Sequence, residues 1–195
     1  MDVSVKEFYD IRIHGRAGQG AKTAAQLIAE AAIDIGMYAQ SFPEFGAERT
    51  GAPMKAYTRV SKSKIDIHYQ ITKPDVVVVM DETLFNADNV LDGIKKDGVV
   101  VVNTNEKPDT IRKRYNIPSE VKIYTLDATG IALSLFGRDF ANIPLLGAVV
   151  KLTGVIDPDK VKSVIRSKFI KKLGEDGVSK NITAFEKGMN EIIGG

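Results

Sequence analysis

The chain contains no cysteine. That excludes disulfides, thiolate-held metals, cysteine nucleophiles and iron–sulfur clusters carried by this chain, and leaves open a cluster on a partner. Histidine is scarce too: only His14 and His68 are present, far apart in sequence, which argues against a histidine-rich metal centre. Long apolar runs are missing, because VVVVM and LLGAVV are far too short to span a bilayer. The opening MDVSVKEFYD has no basic stretch followed by an apolar one, so it does not read as a signal peptide and a cytoplasmic location is expected. Charge of one sign is also lacking. The net charge is +2, whereas nucleic-acid binding needs a concentrated basic stripe. Lys160, Lys162, Arg166, Lys168, Lys171 and Lys172 do cluster late, but Asp157, Asp159, Glu175 and Asp176 flank them, the pattern of a solvated helix face. No metal, nucleic acid or membrane partner is expected.

What is present is a globular balance, with 44% hydrophobic and 27% charged residues in 195. That length suits one domain spanning 1–195, with enough chain to bury a core without staples. Tyr9 to His14 alternates as a strand, GRAGQG follows as a turn, and AKTAAQLIAEAAIDIG has the composition and spacing of a helix closed by Gly36. MYAQSF reads as a second strand ending where Pro43 starts an irregular loop. MKAYTRVS and KIDIHYQI alternate and suggest an antiparallel hairpin. DVVVVMDE, GVVVVNT and VKIYTLD are strands, the first two β-branched runs of the kind buried on both faces. A helix is expected over Asn86–Lys96 and a short basic one around Ile111–Tyr115. From Ala128 onward four segments read as helical: ATGIALSLFG, NIPLLGAVVKLTG, PDKVKSVIRSKFI and ITAFEKGMNEII. The sum is a three-layer, Rossmann-like α/β fold: a mixed sheet, helices on both faces and a helical C-terminal part.

The glycine loop IRIHGRAGQGAKTAAQ carries Gly15, Gly18 and Gly20. Glycines after a strand let the backbone turn sharply and approach a ligand, and the following helix presents bare N–H groups to an anion. Arg16 and Lys22 would add charge and Gln19 a hydrogen bond. Two familiar motifs fail here. The dinucleotide fingerprint is G-x-G-x-x-G, but the order here is G-x-x-G-x-G, and no acid obviously ends the second strand to hold a ribose. In a phosphate-binding loop lysine follows glycine directly. Here Ala21 intervenes, turning Lys22 by about 100°. The plainer alternative is that these glycines serve strand–helix packing.

A second segment, PEFGAERTGAP, brings Glu44, Glu48 and Arg49 together with glycines, and has Phe42 and Phe45 nearby. Arg49 suits clamping a carboxylate or phosphate, and the segment suits an interface; a local Glu48–Arg49 pair is the bland alternative. Asp81 and Glu82 end the VVVVM strand, where open α/β sheets bind ligands, though Asp81 also fits as a helix cap. Asn103 and Thr104 have the same ambiguity. His14 and His68 read as structural. No catalytic residue is assigned.

HGRAGQGAKTAAQ, FPEFGAERTGAPMKAYTRVS, PDVVVVMDE and NIPLLGAVVKLTG, in this order, resemble the gamma subunit of pyruvate:ferredoxin oxidoreductase and related 2-oxoacid:ferredoxin oxidoreductases, over roughly Ile11 to Gly154. The resemblance implies a complex that oxidatively decarboxylates a 2-oxoacid, passes the acyl group to coenzyme A and the electrons to ferredoxin. It implies alpha, beta and delta-type partner subunits, with thiamine diphosphate and the iron–sulfur clusters held by them and no cofactor held by this chain alone. On that basis Gly15, Arg16, Gly18, Gln19, Gly20, Lys22, Glu48 and Arg49 are candidates for contacting coenzyme A phosphates or the subunit interface. Close variants are an indolepyruvate or 2-oxoisovalerate enzyme.

The competing reading is a free-standing nucleotide-binding α/β module. The glycine order argues against it, so nicotinamide and adenine nucleotides are expected to leave the melting temperature unchanged in a thermal-shift measurement. A rise of several degrees would favour the nucleotide module instead.

Overall fold

The structure, a computed structural model, describes residues 8–45, 51–67 and 69–195. Chain order runs β1 (Tyr9–Arg16), α1 (Ala21–Asp34), β2 (Tyr38–Phe45), β3 (Pro53–Ser61), β4 (Val76–Val79), a short 3-10 helix (Glu82–Asn86) and β5 (Val99–Asn103). Then come α2 (Pro108–Arg114), β6 (Lys122–Leu126), α3 (Ala128–Phe136), α4 (Asn142–Thr153), α5 (Pro158–Asn190) and β7 (Ile193–Gly194). The strands form one seven-stranded mixed sheet in the order β2-β3-β1-β4-β5-β6-β7. β1 lies between antiparallel β3 and parallel β4, with Ile13 opposite Ala56 on one side and Val78 on the other.

The period of a strand divides each residue run between two cores. Ile11, Ile13, Val76, Val78 and Val101 join the layer formed by α1, α3, α4 and α5. Val77, Val79, Val100 and Val102 face the opposite side, against Leu84, Val90 and Ile111. The β-branched runs are therefore strands covered on both faces, and helices lie on both sides of the sheet.

Three expectations give way. Pro43 does not begin a loop but sits within β2, which is the edge of the sheet, where a missing ladder donor is tolerated. The expected hairpin does not form: β3 pairs with β1 and β2, and residues 62–67 and 69–74 carry no strand. Both edges of β3 are already taken, so a further partner has nowhere to bond. The helix expected over Asn86–Lys96 is replaced by the 3-10 helix and turns. The carbonyls of Val90 and Asp92 accept bonds from the Arg12 guanidinium at 3.1 and 2.6 Å instead of from a helical neighbour.

The last two expected helices are both contained in α5, whose helical dihedrals break at Gly174 (φ 66°, ψ −175°). Lys162 lies 3.3 Å from Glu186, 24 residues on, whereas a straight helix would hold these positions about 36 Å apart. The run therefore folds back at Gly174 into a helical hairpin. Its second arm meets α4 backbone to backbone: a Cβ on Gly188 would lie 1.9 Å from the Pro144 carbonyl oxygen, and one on Gly147 would lie 2.0 Å from that of Phe185.

Because neither backbone can yield locally, Gly188→Ala is expected to destabilise the protein by about 3 kcal/mol, the upper part of the usual overpacking range. Urea unfolding at constant m-value checks this.

Candidate functional site

β1 runs straight into the glycine loop, and the loop into α1. Gly18 and Gly20 have φ of 102° and 86°, a region that residues with a Cβ enter at a cost. Gly20 is the N-cap of α1. It provides no side-chain cap, and the first turn of the helix contains no acid. The positive end of a 14-residue helix is thus left without a side-chain acceptor from its own first turn.

Arg16 has a different part from the one its charge suggests. Its Nε donates to Asp81 Oδ2 at 2.8 Å, Nη1 to the Gly51 carbonyl at 3.0 Å and Nη2 to Thr83 Oγ1 at 2.7 Å. Its backbone N–H donates to Gln19 Oε1 at 2.8 Å, and the Gln19 N–H donates back to the Arg16 carbonyl at 3.0 Å. Ala17 and Gly51–Ala52 exchange two further backbone bonds, of 2.9 and 3.2 Å. The guanidinium is a strut joining the glycine loop, the entry to β3 and the end of β4. Asp81 also accepts the Thr83 N–H and caps the 3-10 helix. Burial alone would raise its carboxyl pKa, but the Thr83 bonds and Arg16 outweigh that and hold it below the usual range.

Beside the loop lies a cleft of about 680 Å³ lined by Gly18, Gln19, Gly20 and Thr23. Phe136, Arg138, Phe140 and Asn142, from the α3–α4 stretch, form a second wall. The tip of the α5 hairpin closes the third side with Phe169, Lys172, Leu173, Asp176 and Lys180. Of the residues singled out from the sequence, Gly18, Gln19 and Gly20 line this cleft. Gly15 lies inside β1, where a Cβ would press on Met80 Sδ at 3.1 Å and Ala21 Cβ at 3.3 Å. Lys22 is exposed and does not line the cleft. Glu48, Arg49 and His68 lie outside the described residues. Glu44 is in β2 and accepts the Tyr57 hydroxyl at 2.5 Å, and Phe42 stacks on the Tyr57 ring.

Sequence reasoning missed Asn142. It is 7% exposed and lines the cleft. Its Nδ2 stands 2.8 Å from where a Cβ on Gly20 would be. An asparagine at the head of a helix reads as a cap, and only the packing of α4 against the α1 N-terminus reveals it as part of the cleft.

The opposite face of the sheet buries charge. Arg59 bonds Asp10 at 2.8 and 3.1 Å, and His14 Nδ1 lies 3.0 Å from Asp88 Oδ2, which also faces Lys55 Nζ at 3.2 Å. His14 is 1% exposed. Burial, followed by the charge of Arg12, pushes its pKa down to about 4 against the pull of Asp88, with Lys55 adding to the depression. The imidazole is neutral in the folded protein near neutral pH and structural in role. Asn103 ties the end of β4 to α3, donating at 2.9 Å both to the Met80 carbonyl and to Thr129 Oγ1. Among the described residues no group of three or more His, Cys, Asp or Glu side chains is placed to hold a metal ion. Among them too, no helix is long and apolar enough to cross a membrane.

Two predictions follow from this geometry. A histidine whose folded pKa is depressed binds its proton more readily when unfolded. Stability therefore falls as pH drops from 6.5 toward 4, by at most about 3 kcal/mol from this group. Denaturant titrations across that window should show the slope, and His14→Gln should remove it. Separately, Gly20→Ala would force an alanine to φ 86° and its Cβ into Asn142. A loss of about 1–2 kcal/mol is expected from the backbone alone, measured by thermal unfolding.

The matches to known proteins cover nearly all of this architecture. Residues 10–191 match the family model described as pyruvate ferredoxin/flavodoxin oxidoreductase. The crystal structure of a pyruvate oxidoreductase subunit from Thermotoga maritima superposes with a TM-score of 0.85 at 40% identity, covering 96% of this chain and 98% of that one. The common gamma subunit of the pyruvate/ketoisovalerate oxidoreductases of Pyrococcus abyssi is 45% identical over 91% of this chain and 96% of its own. A 2-oxoglutarate:ferredoxin oxidoreductase from Magnetococcus marinus, solved with 2-oxoglutarate, coenzyme A and succinyl-CoA bound, has a TM-score of 0.79 at 26% identity; the match covers 95% of this chain and 31% of that longer one. By sequence over nearly its full length, this chain belongs to the pyruvate ferredoxin/flavodoxin oxidoreductase family.

Proposed function

We propose that residues 1–195 act as one α/β domain, the gamma subunit of a multisubunit cytoplasmic 2-oxoacid:ferredoxin oxidoreductase whose first substrate is pyruvate. The observation that carries this is the near end-to-end match to the Thermotoga maritima pyruvate oxidoreductase subunit, in sequence and in fold. The complex decarboxylates the oxoacid, gives the acyl group to coenzyme A and the electrons to ferredoxin. Thiamine diphosphate and iron–sulfur clusters belong to alpha, beta and delta-type partners; this chain has no cysteine with which to hold a cluster.

The oxoacid is selected on other chains. The Pyrococcus abyssi relative is named as common to a pyruvate and a ketoisovalerate enzyme, and one shared subunit cannot be what distinguishes two substrates. The contribution proposed for this chain is toward coenzyme A. Gly18, Gln19 and Gly20 offer an anion contact at the head of α1. Gly15 and Arg16 hold that loop in shape, and Lys22, Glu48 and Arg49 are assigned to contacts with coenzyme A phosphates or with partner subunits.

Co-expression with its neighbouring genes, followed by anaerobic purification through a tag on this chain, should bring down brown, cluster-bearing partners. The preparation should reduce a viologen dye in a coenzyme A-dependent manner with pyruvate, and less well or not at all with 2-oxoglutarate and branched 2-oxoacids. A monomer emerging alone and inactive would defeat the proposal. In the active complex, Arg16→Ala and Arg49→Ala should raise the KM for coenzyme A or impair assembly; if neither changes, the loop has no part in coenzyme A binding.

A further inference from the structure

β2 is the outer strand of the sheet, and among the described residues no strand lies beyond it. The hydrogen-bond pattern fixes which of its backbone groups are spare. Asp75 and Met80 donate to the carbonyls of Asp10 and His14, so Asp10, Arg12 and His14 turn their backbone groups toward β4. Backbone direction alternates along a strand. Ile11 and Ile13 therefore face β3 and bond Thr58 and Ala56, their partners in register. Tyr57 and Arg59 then face β2 and bond Phe42 and Gln40. Ala39, Ser41 and Pro43 are left pointing away from the sheet. Pro43 has no N–H, and at an outward position that costs the ladder to β3 nothing. Ala39 and Ser41 each keep a donor and an acceptor aimed outward, and such an edge is a template for another strand.

The side chains say which strand fits. Tyr38-Ala39-Gln40-Ser41-Phe42 reads aromatic, small, polar, small, aromatic, and is symmetric about Gln40. Edges are usually guarded by lysines or inward-pointing charges, but the strand has no charged residue between Tyr38 and Pro43. A second copy inverted about Gln40 sets Ala39 against Ser41, where roughly four ladder bonds form. It also sets Tyr38 against Phe42. Tyr38 is 48% exposed, and Phe42 already stacks on Tyr57 with ring centroids 5.1 Å apart. The added ring extends that stack, and cross-strand aromatic pairs stabilise a sheet. Inversion about Ser41 instead brings Pro43 opposite Ala39, where the missing N–H loses a bond, and sets Tyr38 against Glu44. On the other face α1 packs against β2. Its end leaves Ile33 and Ile35 exposed at 56% and 37%, just before the strand begins.

We infer that two copies of this chain join through β2, antiparallel about a two-fold axis at Gln40, so that one sheet runs through both. The contact is isologous: each copy offers the same strand, and the symmetry of its sequence is what makes the strand complementary to itself. The pairing is independent of the reaction proposed above and of the cleft beside α1, none of whose lining residues belongs to β2.

The chain is free of cysteine, so single cysteines report the register directly. Gln40→Cys places two sulfurs on a non-hydrogen-bonded pair whose Cα atoms are about 4.5 Å apart, within disulfide reach. Tyr38→Cys is the control, because in this register the two copies of position 38 lie about 14 Å apart along the strands. Under mild oxidation of the full chain, Gln40→Cys should cross-link at least about tenfold faster than Tyr38→Cys. Sedimentation equilibrium of the unmodified chain should show a dimer. Ser41→Pro removes an outward donor as Pro43 already does, and Tyr38→Ser removes the exposed ring. Each should raise the dimer dissociation constant at least about tenfold and leave the circular dichroism of the folded chain unchanged. If Ser41→Pro fails to fold, Tyr38→Ser and the cross-linking rates still decide. A chain that stays monomeric overturns the inference, whether the edge is unused or a strand of a different subunit takes it. So does a dimer that cross-links no faster at position 40 than at position 38, since that places the contact elsewhere.

Discussion

The guanidinium of Arg16 is where separate stretches of chain are held in one place. It closes the loop after β1, takes the Gly51 carbonyl before β3 and neutralises Asp81 after β4. Because β1 is hydrogen-bonded to both β3 and β4, these contacts fix the height at which neighbouring strands end, and hence where α1 begins. With its charge paired to Asp81, Arg16 shapes the loop at the head of α1. The end of α1 has no side-chain cap and no acid in its first turn, so the positive pole of its dipole stays uncompensated by its own side chains.

The same strand separates two kinds of interior. Ile11 and Ile13 pack into the helical layer, while Asp10, Arg12 and His14 are buried on the other side among Arg59, Asp75 and Asp88. Buried charges are retained only when paired or bonded to backbone. Here Arg12 reaches the carbonyls of Val90 and Asp92, and those bonds shape the turns that follow the 3-10 helix. The polar interior therefore positions loops, and the apolar interior positions helices. The cleft opens on the apolar side, where α4 and the folded-back α5 are set close together by Gly147 and Gly188.

This arrangement fits a subunit that shares its chemistry with partners. The chain brings no thiolate and, among its described residues, no clustered metal ligands. It brings a rigid sheet, a helix head kept free of its own acids, and a protruding helical hairpin.

The sequence by itself determined the elements whose identity follows from local pattern. VVVV runs must be strands when both faces are covered, an alanine-rich stretch after a glycine turn must be a helix, and Gly36 ends it. The glycine loop was legible in the same way, since the positive φ of Gly18 and Gly20 favours glycine, and the motifs that carry the family were legible from their order along the chain. Tertiary structure decided what depends on which partners are already taken. KIDIHYQI has the alternation of a strand, but β3 has no free edge to receive it. Residues 86–96 contain helix formers, but their carbonyls are claimed by Arg12 from another strand. Asn142 and Gly20 are 122 positions apart, and Lys162 and Glu186 meet only because α5 turns back at Gly174. Such contacts arise from the competition among distant segments for the same donors, edges and space, which no local pattern records.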